Sequence, residues 1–169
     1  MKHFKTFLFA ALLFVGATAF TNAQSKVAHI NTTELVQAMP KMKAAQAELE
    51  QLSKTYEAQM KEMGTEYETK VKRYRAEAET QTDEENMKRQ QEVQTLEQSI
   101  RQYQGTAQQD LQKKETDLLK PILEEAKAAI QRVATAQGIQ YVLDSTQGSG
   151  VIVADGKNLL ADVKKELGI

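Results

Sequence analysis

The side chains that most often perform chemistry in proteins are scarce in this sequence. There is no cysteine, and His29 is the single histidine outside the leader segment described below. A lone histidine in an apolar strand pattern is typical of a packed or edge residue, because a general base needs a reacting group positioned beside it. The sequence also lacks a Gly-rich phosphate loop. We therefore assign no catalytic, cofactor-binding or metal-binding residues.

Acidic side chains are abundant, with 23 Asp and Glu residues in the chain. They stand three or four residues from Lys or Arg on polar helical faces, where weak surface ion pairs are their usual role. This pattern does not indicate the paired carboxylates of acid–base catalysis. The sequence favours a binding or structural protein over an enzyme.

Two long helices, predicted between residues 41 and 137, occupy more than half of the chain. Apolar residues recur there in steps of three and four, which keeps one stripe of a helix apolar. The stripe consists of Met42, Ala45, Leu49, Leu52, Tyr56, Met60, Met63, Tyr67, Val71, Tyr74 and Ala78 on the outgoing arm, and Val93, Leu96, Ile100, Tyr103, Ala107, Leu111, Leu118, Ile122, Ala126, Ile130 and Val133 on the return arm.

The segment Thr80 to Asn86 interrupts this pattern with Thr, Asp and Asn, so we predict an antiparallel helical hairpin with its tip near Asp83. Steps of eleven residues, such as Leu49 to Met60, argue against a long regular left-handed supercoil. Arms of roughly 40 residues at about 1.5 Å rise each would reach about 60 Å.

The two chain ends are predicted to form one small body, from residues 24–40 and 138–169. At the amino end, Lys26 to Asn31 has the composition of a strand, and Asn31 with Glu34 predicts the start of a helix from Thr32 to Met39. Pro40 is expected to end that helix.

At the carboxyl end, Gly138 is predicted to terminate the return helix in a left-handed conformation. Two further strands follow, Ile139 to Asp144 and Val151 to Ala154, and a helix from Asn158 to Leu167 closes the chain. About 45 residues make a small core for a body without disulfides, so strand edges are expected to pair between subunits. The fold class is α+β and mostly helical, with a small strand-containing body that subunits would share as a sheet or a barrel, and one long hairpin arm in each.

The first 23 residues have the pattern of a signal peptide. A basic region with Lys2 and Lys5 precedes an apolar run from Phe7 to Val15, and small residues lead to a cleavage site after Ala23. The apolar run is shorter than the ~20 residues that span a bilayer. We therefore expect the mature chain to be exported.

Loss of Lys2 and Lys5 leaves 20 basic against 23 acidic side chains, a net charge of minus three. A nucleic-acid-binding protein usually has a basic surface, so nucleic acid is not an expected partner. The charge also provides no broad positive field toward anionic lipid.

In several segments the sequence resembles the Skp (OmpH) family of periplasmic chaperones. The resemblance includes Lys26-Val-Ala-His-Ile-Asn31, the polar hairpin, Ala136-Gln-Gly-Ile-Gln-Tyr-Val-Leu-Asp144 and Ala161-Asp-Val-Lys-Lys165. It implies a homotrimer in which strands from three subunits form a barrel and three hairpins enclose a cavity. Such proteins hold unfolded outer-membrane proteins without ATP before membrane insertion. Many members are strongly basic, whereas this mature chain is slightly acidic.

The resemblance makes the flexible and amphipathic side chains of the arms candidates for client contact, because Met and Tyr adapt to varied apolar surfaces. This client stripe comprises Tyr56, Met60, Met63, Tyr67, Tyr74, Met87 and Tyr103. The alternative is that these residues only join one arm to the other. The apolar strand residues expected at the trimer interface are Val27, Ile30, Val142, Val151 and Val153.

A second group, the tip cluster, is basic and lies near the end of the hairpin. It comprises Lys70, Lys72, Arg73, Arg75, Lys88 and Arg89, beside the acidic run Asp83 to Glu85. This cluster would contact an anionic client, a membrane surface or lipopolysaccharide, or else form a solvated face of ion pairs.

Gly64 and Gly105 are predicted hinge points, because glycine costs a helix about 1 kcal/mol relative to alanine. With the tip at Asp83, the two glycines are expected within about one helical turn of each other. A structural coiled coil or an envelope adapter is the alternative function, and it should have a more regular heptad.

Overall fold

The computed structural model describes residues 26–169, so the predicted signal peptide and its cleavage site after Ala23 lie outside the described residues. In chain order the strands and helices are β1 (Val27–Ile30), α1 (Thr32–Ala38), α2 (Pro40–Glu77), α3 (Asp83–Ala136), β2 (Tyr141–Asp144), β3 (Lys157–Asn158) and α4 (Leu160–Leu167). A short 3₁₀ turn, Ala78–Thr80, follows α2. Within this part of the chain, no helix is both long and apolar enough to cross a membrane.

The prediction of a mostly helical chain with a small sheet is confirmed. Helices α2 and α3 contain 38 and 54 residues and pack against each other as an antiparallel hairpin. Pro40 occupies the first turn of α2, where its missing amide costs nothing, and it holds Met39 in an extended conformation between α1 and α2. Asn31 caps α1 by accepting a hydrogen bond from the Glu34 amide at 2.9 Å.

The hairpin tip is tighter than predicted. Helix α3 begins at Asp83, so only Gln81 and Thr82 separate it from the 3₁₀ turn. The Thr82 hydroxyl accepts a hydrogen bond from the Glu85 amide at 3.2 Å. The acidic run Asp83 to Glu85 is therefore the first turn of a helix, where negative charge is favourable, and not part of the break.

The sheet is parallel, with strand order β2-β1-β3. Its inner face carries Ala28 and Ile30, which are buried under the helices, while Val27 and His29 belong to the opposite, outer face. Gly138 adopts the left-handed conformation expected at the end of α3, with φ of 64°.

The predicted third strand is wrong. Residues 151–154 lie in a loop, and Lys157–Asn158 pairs with β1 instead. The reason is the burial of Leu159, which is fully enclosed in the core and whose amide donates to the His29 carbonyl at 2.9 Å. This contact places the residues just before Leu159 beside β1. Because they form a strand, the closing helix begins at Leu160 and not at Asn158.

The core extends from the head into the base of the arms. Buried residues of β1, α1 and α4 pack with side chains from both arms, including Ala45, Ile122, Ala126, Ala129 and Val133. The core therefore includes residues from both sides of the predicted boundaries near residues 40 and 138. It gives the single chain a larger core than the 45-residue estimate assumed.

Candidate binding surfaces of the arms and head

Six of the seven client-stripe residues are half-buried; only Met87, which is 62% exposed, is well exposed. Tyr56 illustrates the contacts that bury these side chains. Its ring meets the Tyr103 ring edge to face, with centroids 5.8 Å apart. The Tyr56 hydroxyl donates to Asp110 at 3.0 Å, and the Tyr103 hydroxyl donates to Gln59. The hydrogen bond to Asp110 raises the pKa of Tyr56. These contacts join one arm to the other.

The tip cluster contains cations that form ion pairs and cations that form none. Lys70 and Arg89 belong to the first group. Lys70 pairs with Glu92 at 2.5 Å and with Glu66 at 3.1 Å, and these hydrogen bonds raise the pKa of its ammonium group. Arg89 pairs with Glu77 and Glu85 at 3.0 and 3.3 Å. Both cations are largely covered, and each pairs with a carboxylate of the other arm.

Tyr74 lies at the centre of the same tip structure. The guanidinium carbon of Arg73 is 4.9 Å from its ring centroid, and that of Arg89 is 4.8 Å away. The Tyr74 hydroxyl donates to Glu92, whose pKa is lowered by its hydrogen bonds, first from Lys70 and then from Tyr74. Over residues 26–169, the tip-cluster cations that make no ion pair are Lys72, Arg73, Arg75 and Lys88.

The two glycines lie at similar heights on the two arms but not at the same level. Ion pairs between the arms define the register of the two helices. In each pair the two residue numbers add up to 162 or 166, as in Lys70 with Glu92 and Lys41 with Glu125. At this register Gly64 lies level with residues 98–102. Gly105 is three to seven residues nearer the head, an offset of about 5 to 10 Å. A Cβ atom at either glycine would meet nothing within 4 Å.

The outer face of the sheet exposes apolar side chains. Val27, Tyr141 and Leu143 are exposed on β1 and β2, and Ile152 and Val153 are exposed in the following loop. Among the predicted interface residues, Val151 is half-buried and Val142 packs partly against the core. Ile30 is buried in the core of its own chain. The outer face of the sheet is thus an exposed apolar surface.

Residues 145–156, which we call the head loop, cross this outer face, and His29 contacts both of its ends. The His29 Nδ1 atom lies 3.1 Å from the Ser145 hydroxyl, and Nε2 lies 3.3 Å from the Gly156 carbonyl oxygen. The histidine therefore holds both ends of the head loop in place. The described residues also contain no cluster of side chains that could hold a metal ion.

Asp144 holds the start of the head loop. Its carboxylate accepts hydrogen bonds from the Thr32 hydroxyl and the Thr146 hydroxyl, both at 2.7 Å, and from the Thr146 amide at 2.9 Å. Burial alone would raise the pKa of Asp144, but these hydrogen bonds lower it to about 2. Asp144 thereby connects β2, the first turn of α1 and the head loop.

The sequence profile of the OmpH-like outer membrane protein family matches residues 26–167. The chain belongs to the OmpH-like family. No curated protein sequence matches it significantly. Its fold is similar to the crystal structure of a candidate OmpH-like outer membrane chaperone from Caulobacter crescentus CB15, with a TM-score of 0.76. The two chains are 18% identical, and the match covers 88% of each.

The OmpH-like arms also have an apolar patch that the stripe pattern missed. Leu123 is 53% exposed and lines a shallow depression of about 410 Å³ with Leu119, Thr116 and the stems of Lys120 and Lys127. Leu119 and Leu123 each follow a stripe residue by one position, so they face a different side of α3. Their spacing of four residues was the available signal.

Proposed function

We propose that this protein is an ATP-independent holdase chaperone that acts as a periplasmic homotrimer and binds unfolded outer-membrane proteins between its arms. The observation that carries the proposal is the shape of one subunit. Two helices join each other along their length, and the core is confined to the head and the base of the arms. Three such arms around one head would enclose a space. Membership in the OmpH-like family supports a chaperone role.

The client surface is proposed to lie outside the seam between the arms. Most of the client stripe is half-buried, so a client would contact the outer edges of these side chains together with Met87, Leu119 and Leu123. Small apolar groups spread over a polar surface make weak contacts, which can break and re-form as the client moves. This property suits a binder of varied unfolded chains.

The trimer is proposed to form through the outer sheet face and the head loop. An apolar sheet face open to water is a usual mark of an interaction site. The segment Val151 to Val153 has strong β propensity and forms no strand within one chain, so a strand partner would have to come from another subunit. The unpaired tip cations, Lys72, Arg73, Arg75 and Lys88, are the candidates for contact with a membrane surface or lipopolysaccharide.

The proposed activity is tested by diluting a denatured outer-membrane barrel protein into buffer with the purified mature chain, and recording light scattering. We expect suppression of aggregation without ATP. Leu119→Ser with Leu123→Ser should weaken suppression several-fold, whereas Ala128→Ser, on the same helix outside the depression, should leave it unchanged. Absence of suppression, together with specific binding to an envelope complex, would favour the adapter function.

A further inference from the structure

Ile152 is the most exposed of the large apolar side chains in the described chain, at 97% of its full accessibility. It stands in the head loop between Val151 and Val153. A single exposed apolar residue needs no explanation, but this one is surrounded by the exposed apolar face of the sheet. The loop therefore presents a projecting side chain on the surface already proposed for subunit contact.

An open pocket of about 170 Å³ lies beside Ile152, between the outer sheet face and the head loop. Its apolar walls are Val27, Leu143, Val151 and Val153, and His29 lies at one side. Apolar cavities of about 150 Å³ accept a group the size of benzene, so this pocket has room for the four carbons of an isoleucine side chain.

Ile152 does not fill the pocket of its own chain. Its two neighbours, Val151 and Val153, line that pocket, whereas Ile152 does not line it and remains almost fully in solvent. One chain thus contains an apolar projection and an apolar pocket, both unfilled. We propose that Ile152 of one copy inserts into the pocket of the next copy. This inference rests on the proposed self-association and names the contact that builds it.

The direction of this contact determines the symmetry. The projection on one subunit meets the pocket on another, so the interface is heterologous and generates a closed ring when the rotation permits closure. Hydrogen bonds hold the head loop in a defined position, which insertion of Ile152 into a neighbouring pocket requires. His29 contacts both its ends, and the Ser149 hydroxyl donates to the Asp144 carbonyl oxygen at 2.5 Å.

The proposal is tested by mixing two variants of the mature chain. Ile152→Asp lacks the projection and keeps the pocket, whereas Leu143→Trp fills the pocket and keeps the projection. Native mass spectrometry should show the oligomer for the unaltered chain and for Ile152→Val, but monomers for each disrupted variant alone. The mixture should form a one-to-one heterodimer, because one projection and one pocket remain. Persistence of the oligomer in either variant, or monomers only in the mixture of two folded variants, would overturn the proposal.

Disulfide trapping tests the same contact and does not depend on the folding of Leu143→Trp. The natural chain has no cysteine, so one cysteine can be placed in each of two chains. Oxidising a mixture of Ile152→Cys and Leu143→Cys should give several times more heterodimer than a mixture of Ile152→Cys and Lys165→Cys. Equal yields would refute the insertion. The light-scattering assay of the unaltered chain reports independently on the chaperone proposal, so the two ideas can fail separately.

Discussion

Tyr56 and Tyr103 meet edge to face between the two arms, with their ring centroids 5.8 Å apart and their planes at 61°. This pair shows that Tyr56 and Tyr103 join the two arms of the hairpin. Each hydroxyl also bonds to the opposite arm, through Asp110 and Gln59. The apolar bodies and polar ends of tyrosine are thus both used within one subunit.

We predict that Tyr56 and Tyr103 are energetically coupled. In a double-mutant cycle with Tyr56→Leu and Tyr103→Leu, the coupling free energy from urea unfolding should be about 1 kcal/mol, the usual worth of an aromatic pair. Tyr67→Leu combined with Tyr103→Leu is the control and should be additive, since Tyr67 lies nearer the tip. Additivity of the first pair would contradict a stabilising role for this contact.

Substitution of Arg89 should destabilise the hairpin tip, whereas substitution of its neighbour Lys88 should not. Arg89→Ala removes two ion pairs and a cation–π contact at a largely covered site, so we expect a loss of about 1 kcal/mol of stability. Hydrogen exchange should quicken near residues 74–92. Lys88→Ala, which removes no ion pair in the described chain, should leave exchange unchanged. Equal effects would mean that the tip depends on general charge and not on this contact.

Asp144 should make the head sensitive to acid. Its folded pKa of about 2 is below the ordinary 3.8, so the stabilisation is complete above pH 4 and is lost as pH falls from 3.8 through 2. Between pH 5 and pH 2.5, the urea midpoint should fall more for the unaltered chain than for Asp144→Asn. Asp155→Asn, an exposed carboxylate of the head loop, is the matched control and should behave as the unaltered chain does.

Replacing Gly64 and Gly105 with alanine should raise stability by roughly 1 kcal/mol each, because both sites are helical and open. If they act as hinges, distances between arm tips should also become more uniform. Spin labels belong at Glu84→Cys, since Thr82 caps α3. An unchanged distance distribution in the stabilised double variant would reject the hinge and leave the glycines as tolerated gaps.

Client binding should depend only modestly on salt. Ions at ~0.1 M screen exposed charges beyond about 10 Å, whereas apolar contacts persist. Residues 24–169 have a net charge of minus three, and two of the six tip-cluster cations are occupied by ion pairs. A steep loss of client affinity between 20 and 200 mM salt would contradict this prediction. It would mean that the unpaired tip cations contribute more to client binding than the apolar contacts do.

The arms were predictable because a helical stripe repeats many times, so single departures do not hide it. Their relative register was not, because it depends on pairs such as Lys70 with Glu92 that no local pattern reveals. Leu119 and Leu123 were overlooked because each adjoins a stronger stripe residue.

The head was harder to predict because its shortest strand depends on distant contacts. Val151 to Val153 has the composition of a strand, yet Lys157 and Asn158 form one because the buried Leu159 follows them. Helix starts were better specified, since Asn31 and Pro40 act through their own backbone and side-chain chemistry. Assembly between copies lies beyond any single-chain pattern.

The parallel sheet has a consequence for the order in which a newly exported chain folds. Its central strand emerges first, but its neighbours come from the last 30 residues, and the contact of His29 with Ser145 joins positions 116 apart. Closing so long a loop in one step is slow. Once the hairpin has zipped, however, the ends of the arms are already adjacent and only short connections remain to be ordered. A chain stalled during translocation would therefore carry finished arms and an unpaired β1, exposed to proteases until its carboxyl end arrives.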